Sequence, residues 1–155
     1  MHFSVEKIEG AIDQEMSQFA KECIDDALLK YMGFQIDPLT FVTTLETYAK
    51  DHDKVFFIAR ANGKVIGVFF GEAKNIPFTN HLMAVELYFR VSEEYRGQGV
   101  GKCLIMGFEA WAKGKGCEIS VCGVNQFTSS ATKDANRRLA RDGYRLYVNE
   151  YFKVL

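Results

Sequence analysis

The sequence predicts a mixed α/β fold, a central twisted mixed sheet with helices on both faces. Three observations carry this expectation. Runs rich in β-branched and aromatic residues alternate with segments whose apolar residues recur at helical spacing. The pair Asn62-Gly63, a strong hairpin signal, joins two such runs near the middle of the chain. An apolar-rich run ending at Val91 then passes through a glycine-rich turn into an amphipathic helical pattern, forming a strand–turn–helix junction.

The elements follow in order. Phe3 to Ile8 reads as a first strand. Ile12, Met16, Phe19, Cys23, Ala27 and Tyr31 recur at helical spacing, and Gly33 stops that helix. Asp37 caps a second helix, with Pro38 at its first position and Phe41, Leu45, Tyr48 and Ala49 marking its register. Val55 to Arg60 and Lys64 to Gly71 form the hairpin, Ile76 to Asn80 is a loop, and Met83 to Val91 is the next strand. The helix from about Gly99 carries Val100, Leu104, Phe108 and Trp111 on one face and ends near Gly114 to Gly116. Glu118 to Val124 is a strand. Ala131 to Asp142 is a late helix, capped by Ser130 and ended by Gly143. Tyr144 to Val148 and Tyr151 to Val154 are closing strands. The order is β-α-α-β-β-β-α-β-α-β-β.

Composition narrows the function classes. At 155 residues, 48% hydrophobic and 25% charged, the chain reads as a single domain over residues 1–155 with a full core. Its formal charge of -1 provides no general field toward nucleic acid or anionic membrane. No apolar run reaches the length of a membrane span, and Met1-His2-Phe3-Ser4 lacks the start of a signal peptide, so the expected location is cytoplasmic. Cys23, Cys103, Cys117 and Cys122 form no CxxC pair, and His2, His52 and His81 stand singly. Buried reduced thiols and no metal are expected.

The segment Arg96-Gly97-Gln98-Gly99-Val100-Gly101-Lys102 is the chemical centre of the sequence. The first N–H groups of a helix lack intrahelical partners and sit at the positive end of its dipole, which suits a phosphate. Glycines allow close approach of the anion and unusual backbone angles. A Walker loop would need glycine at 96 and Ser or Thr at 103, where the chain has Arg96 and Cys103. A dinucleotide fingerprint would need glycine at 102 or 104, where it has Lys102 and Leu104. What remains, Val91-Ser92-Glu93-Glu94-Tyr95-Arg96-Gly97-Gln98-Gly99-Val100-Gly101, closely resembles the acetyl-CoA motif of the GNAT superfamily of N-acetyltransferases. The usual form has proline where this chain has Glu93. The element order is also that of the GNAT fold.

The resemblance implies acetyl transfer from acetyl-CoA to an amine by direct attack in a ternary complex. Arg96, Gly97, Gln98, Gly99, Val100, Gly101 and Lys102 would hold the pyrophosphate, and Phe89, Arg90 and Val91 would pair their backbone with the pantetheine arm. In the family that strand and the next splay apart, and a backbone N–H near Val91 would polarise the thioester carbonyl. Members with a carboxylate base often carry it four or six residues before the valine. Here those positions are Leu87 and Val85, and the nearest acid is Glu86, at five. Strand alternation turns Glu86 to the wrong face unless a β-bulge restores it; Glu72 and then His81 stand in reserve. The family's thiolate-protonating tyrosine is replaced by Leu139, leaving Tyr144, with Tyr147 and Ser129 behind it, as substitute acids. Lys133, Arg137, Arg138 and Arg141 give the late helix a basic face, read as solvated. The acceptor is a small-molecule or protein amine, with self-association into a homodimer left open. The competing reading is a CoA-binding or interaction module that keeps the fold without turnover. An amine panel read by release of the CoA thiol separates the two.

Overall fold

The computed structural model describes residues 2–23, 33–123 and 136–146. They form β1 (Ser4–Lys7), α1 (Gln14–Cys23), α2 (Pro38–Lys50), β2 (Lys54–Ala61), β3 (Lys64–Asn75), β4 (Leu82–Val91), a single 3-10 turn (Glu93–Tyr95), α3 (Val100–Gly114) and β5 (Cys117–Val121). The described part of a further helix, α4, covers 136–141. The five strands lie side by side in sequence order; β1 to β4 are antiparallel, and β5 joins β4 in parallel.

Local chemistry explains the ends of the elements. The Asp37 carboxylate accepts the Thr40 N–H at 2.7 Å, and Pro38 opens α2, as the sequence predicts. Asp13 caps α1 in the same way, accepting from Met16 N–H at 3.0 Å, and also pairs with Arg60 of β2. Asn62 and Gly63 both take positive φ (51° and 80°), the conformation a two-residue hairpin needs to follow strand twist. Gly143 ends α4 at φ 91°, with the Tyr144 N–H on the Leu139 carbonyl at 2.9 Å. Residues 144–146 are not in a strand, unlike the expected Tyr144–Val148; 147–148 and the strand at 151–154 lie outside the described residues. So do Ala27, Tyr31, Val124, Ser130, Lys133 and the start of the late helix.

Two apolar layers hold the sheet. On one face Met16, Phe19 and Ala20 of α1 and Phe41 and Leu45 of α2 pack on Phe56, Ile58, Val68 and Phe70. On the other, Val100, Leu104, Phe108 and Ala112 of α3 pack on Val55, Phe57, Ile66 and Phe69. Because β2 and β3 are covered on both faces, their sequences are nearly continuous apolar runs rather than alternating ones.

Two register shifts shape the region around the site. In β3, pairing jumps from Ala59↔Gly67 to Arg60↔Val65, and the Ile66 carbonyl accepts the Ser92 N–H at 2.9 Å. That bond pins the exit of β4 just before the glycine-rich turn. In β4, pairing jumps from Phe70↔Tyr88 to Gly71↔Glu86, leaving Leu87 as an extra, 39% exposed residue. Tyr88 then joins the α1–α2 layer while Phe89 and Val91 join the α3 layer.

Candidate active site

The glycine-rich turn follows the 3-10 turn and opens α3. Gly97 (φ 78°) and Gly99 (φ 90°) adopt the left-handed conformation, and nothing lies within 4 Å of where a Cβ would stand on either. Gly99 caps α3 without any side-chain hydrogen bond, and the first helical bond is Cys103 N–H to the Gly99 carbonyl at 3.1 Å. The N–H groups of Val100, Gly101 and Lys102 therefore point out of the helix end without helical acceptors. Backbone donors arranged in this way suit an anion, and the turn is the candidate cradle for one.

Side chains around the turn are tied into the fold. Arg96 donates from Nε to the Val91 carbonyl at 3.1 Å, so it braces the turn against the strand end. Gln98 likewise ties back to the Glu94 carbonyl at 2.8 Å. The Arg90 guanidinium reaches the Glu22 carbonyl of α1 at 3.1 Å, on the face away from α3. Val100 is buried in the core, so only its backbone is available. Gly101 serves packing: a Cβ there would sit 2.9 Å from Phe89 Cζ. Phe89 itself packs at a tilt against Phe69, with ring centroids 5.4 Å apart.

β4 and β5 pair only from Leu82 to Val85, ending at Val85↔Val121. Among the described residues, β4 from Glu86 to Val91 has no ladder partner on its β5 side. The bulge falls where the strands part. There the Glu86 carboxylate spans the gap and accepts the Gly123 N–H at 3.0 Å. Burial pushes the Glu86 pKa up to about 7, partly opposed by that hydrogen bond. The bulge anticipated for this strand is present. The reserve acids are engaged elsewhere: Glu72 pairs with Lys74 at 3.3 Å, and His81 pairs with Glu118.

Beside Gly123 lies a polar cluster that the sequence did not disclose. The Tyr144 hydroxyl donates to Glu109 Oε1 of α3 at 2.7 Å and lies 3.1 Å from Ser120 Oγ and 3.5 Å from Cys122 Sγ. A phenol has one proton and two acceptor positions, and all are used here. Burial raises its pKa first, and the bonds to Cys122 and Glu109 raise it further. The Tyr144 hydroxyl, the substitute acid expected from sequence, thus donates to Glu109 and lies against Ser120 and Cys122. Burial likewise pushes the Cys122 thiol up to about 11. Glu109 follows the buried Phe108 on α3, and no local pattern marks it as polar and functional. Asn125, Ser129 and Tyr147 lie outside the described residues. None of the four cysteines is in a disulfide; Cys23 is buried, and Cys103, Cys117 and Cys122 are half-buried.

A separate cavity of about 220 Å³ lies between α1 and the exit of β4, lined in part by Glu15, Glu22, Lys64, Ser92 and Glu94. Three carboxylates against one lysine make it unsuited to a pyrophosphate. Among the described residues no group of His, Cys, Asp and Glu is arranged to hold a metal ion, and no helix is long and apolar enough to cross a membrane.

A five-stranded mixed sheet, helices on both faces, a parted β4–β5 pair and a helix-opening anion cradle define an acyl-CoA-dependent transferase architecture. Residues 20–140 match the Acetyltransferase (GNAT) family, and the chain belongs to that family of acetyl-CoA-dependent N-acetyltransferases. Among solved structures it is similar to a transcriptional regulator from Bacillus halodurans C-125, at 17% identity and TM-score 0.78, over 99% of this chain and 100% of that one. It is also similar to the aminoglycoside acetyltransferase HMB0005 from an uncultured soil metagenomic sample, at 13% identity and TM-score 0.75, over 100% and 99% of the two chains. A third is the ribosomal-protein-alanine N-acetyltransferase of Brucella melitensis biovar Abortus 2308, at 15% identity and TM-score 0.65, over the full length of both. No curated protein sequence matches the chain.

Proposed function

We propose that residues 1–155 act as one N-acetyltransferase domain that acetylates a primary amine by direct attack within a ternary complex, with Glu86 as the base. The observation that carries this reading is the Glu86 carboxylate, set by the β4 bulge into the opening between β4 and β5. Acetyl-CoA supplies the acetyl thioester. The N–H groups from Gly97 to Lys102 hold its pyrophosphate, and the free edge of β4 from Phe89 to Val91 offers backbone partners to the pantetheine amides. The open space at Gly97 and Gly99 supports this fit, because a phosphate can meet the backbone directly.

An alkylammonium with a pKa of about 10 carries no free lone pair at neutral pH. Glu86, with its pKa near 7, takes that proton directly or through one water. The freed amine nitrogen bonds to the thioester carbonyl carbon, the C–S bond breaks, the sulfur leaves with the electron pair, and the second proton shed by the nitrogen passes to that thiolate, directly or through water. A backbone N–H near Val91 stabilises the oxyanion. A thiol with a pKa of about 8.5 is a fair leaving group without an acid, consistent with Leu139 at the usual tyrosine position and with Tyr144 committed to Glu109. The test is steady release of CoA thiol across a panel of small amines and amine-bearing peptides. Tight acetyl-CoA binding with no turnover on any amine leaves a CoA-binding module instead.

The cradle has its own test. Gly99→Val places a β-branched residue at φ 90° in the space reserved for the anion. The folded variant is expected to lose the rise in Tm that acetyl-CoA gives the parent, which at 100 times Kd corresponds to about 2.7 kcal/mol. A folded variant with the parent's full ligand-induced shift rules out the turn as the pyrophosphate site. Gly101→Val is the poorer probe, because its side chain first collides with Phe89.

A further inference from the structure

Glu109, Tyr144, Ser120, Cys122 and Gly123 connect α3 and the C-terminal segment to the carboxylate at the β4 bulge. The Glu109 carboxylate takes the Tyr144 proton at 2.7 Å, and the phenol oxygen accepts from Ser120 at 3.1 Å and from the Cys122 thiol at 3.5 Å. Gly123, the next residue, gives its N–H to Glu86 at 3.0 Å. The ladder between β4 and β5 ends at Val85↔Val121, so among the described residues Cys122 and Gly123, which follow β5, are not held to β4 by strand pairing. The Tyr144 hydroxyl hydrogen-bonds Cys122, which also packs against the α3 layer, and Glu109 accepts the hydrogen bond that this hydroxyl donates.

We propose that Glu109 is a positioning residue: by accepting the Tyr144 proton it locks the end of β5 and so keeps the Gly123 N–H on the Glu86 carboxylate. The kinetic part of the proposal rests on Glu86 being the base; the positional part does not. Around Glu86, β5 contributes Cys122 and the Gly123 N–H, β3 contributes the side-chain-free Gly71 directly opposite, and Val85 and Leu87 flank it on β4. Glu109 from α3 and Tyr144 from the C-terminal segment face Cys122. The Gly123 bond favours the ionised carboxylate. Loosening Gly123 therefore makes Glu86 harder to ionise and moves the acid limb of activity upward.

The experiment compares Glu109→Leu, Glu109→Gln and Tyr144→Phe with the parent. Iodoacetamide labelling of Cys122, read by peptide mass spectrometry, reports the lock, and a carbon-13 NMR titration reports Glu86 without any turnover. Glu109→Leu is expected to raise Cys122 labelling about tenfold by local opening. It should also move the Glu86 midpoint up by about half to one pH unit and lower kcat with the acetyl-CoA KM unchanged. Tyr144→Phe, which removes only the hydroxyl, should behave alike and serves if Glu109→Leu does not fold. Glu109→Gln keeps a side-chain carbonyl for the phenol proton and should restore the parent's labelling and titration. Parent-like labelling and titration in Tyr144→Phe, or a Glu109→Gln that behaves like Glu109→Leu, overturns the proposal. A Glu86 midpoint that moves while the pH–rate profile does not leaves the lock intact and removes Glu86 as base.

Discussion

Glu86→Gln is expected to lower turnover by about 10²–10⁴-fold near pH 7–8 while acetyl-CoA affinity stays unchanged, because it removes basicity and keeps an acceptor for the Gly123 N–H. In the parent, activity should rise through a midpoint near 7 as the carboxylate ionises. The variant should lack that midpoint and climb only with the free-amine fraction, so the gap narrows at high pH. It narrows at acid pH too, where the parent's carboxylate is protonated. A variant with the parent's pH–rate profile would assign proton removal to bulk water or to Glu72. Stability provides a second readout. Glu86 has a folded-state pKa raised above its ordinary value of 4.5, so its favourable contribution is complete below about pH 4.5 and is lost as pH rises through about 7. Glu86→Gln should therefore melt higher than the parent at pH 8, by at most about 3 kcal/mol, and the difference should close at pH 4. A difference that is the same at both pH values would mean the carboxylate is not desolvated.

Gly71→Ala is expected to produce the largest loss of stability of any single methyl added to this chain. The new Cβ would lie 2.6 Å from Phe108 Cε2 and 2.6 Å from the Val85 carbonyl oxygen, well inside contact distance. Phe108 is fully buried between Phe69, at 4.5 Å between ring centroids, and Trp111, at 5.9 Å, so it has no free space to retreat into. Overpacking of this kind costs about 1–3 kcal/mol or more, roughly 2–12 °C in Tm for a domain of this size. Gly71 is also the residue opposite Glu86, so the displaced strand should lower activity beyond the loss of folded protein. The control is Gly107→Ala on α3, whose Cβ meets Phe57 at an ordinary 3.4 Å and which gains about 0.5–1 kcal/mol of helix propensity. Equal melting temperatures for Gly71→Ala and the parent would mean that α3 does not pack on β3 at this point.

Gly101 and Glu86 show two ways in which sequence and structure relate. The sequence places Gly101 in the glycine-rich turn expected to meet an anion, and in the fold its missing side chain also makes room for Phe89, twelve residues away on β4. No local pattern carries that information, since only the seating of α3 on the sheet brings the two together. For Glu86, alternation and the need for a bulge were legible, because strand side chains alternate with period two and a one-residue insertion resets the phase. The carboxylate's partner was not legible, because Gly123 is 37 residues away and meets it only where β4 and β5 part.

The sequence by itself determined everything that acts within a few residues: the Asp37 cap, the Asn62-Gly63 turn, the stop at Gly143, and the glycine-rich opening of α3 that marks the family. These depend on bonds between near neighbours and on φ preferences that each residue carries wherever it sits. The tertiary structure alone decided the rest: Arg90 reaches the Glu22 carbonyl of α1, 68 residues away, and the Tyr144 hydroxyl donates to Glu109, 35 residues away. Hydrogen-bond valence is what separates these cases. A side chain's role depends on which distant donors and acceptors reach it first, and that is settled only when the two apolar layers close on the sheet.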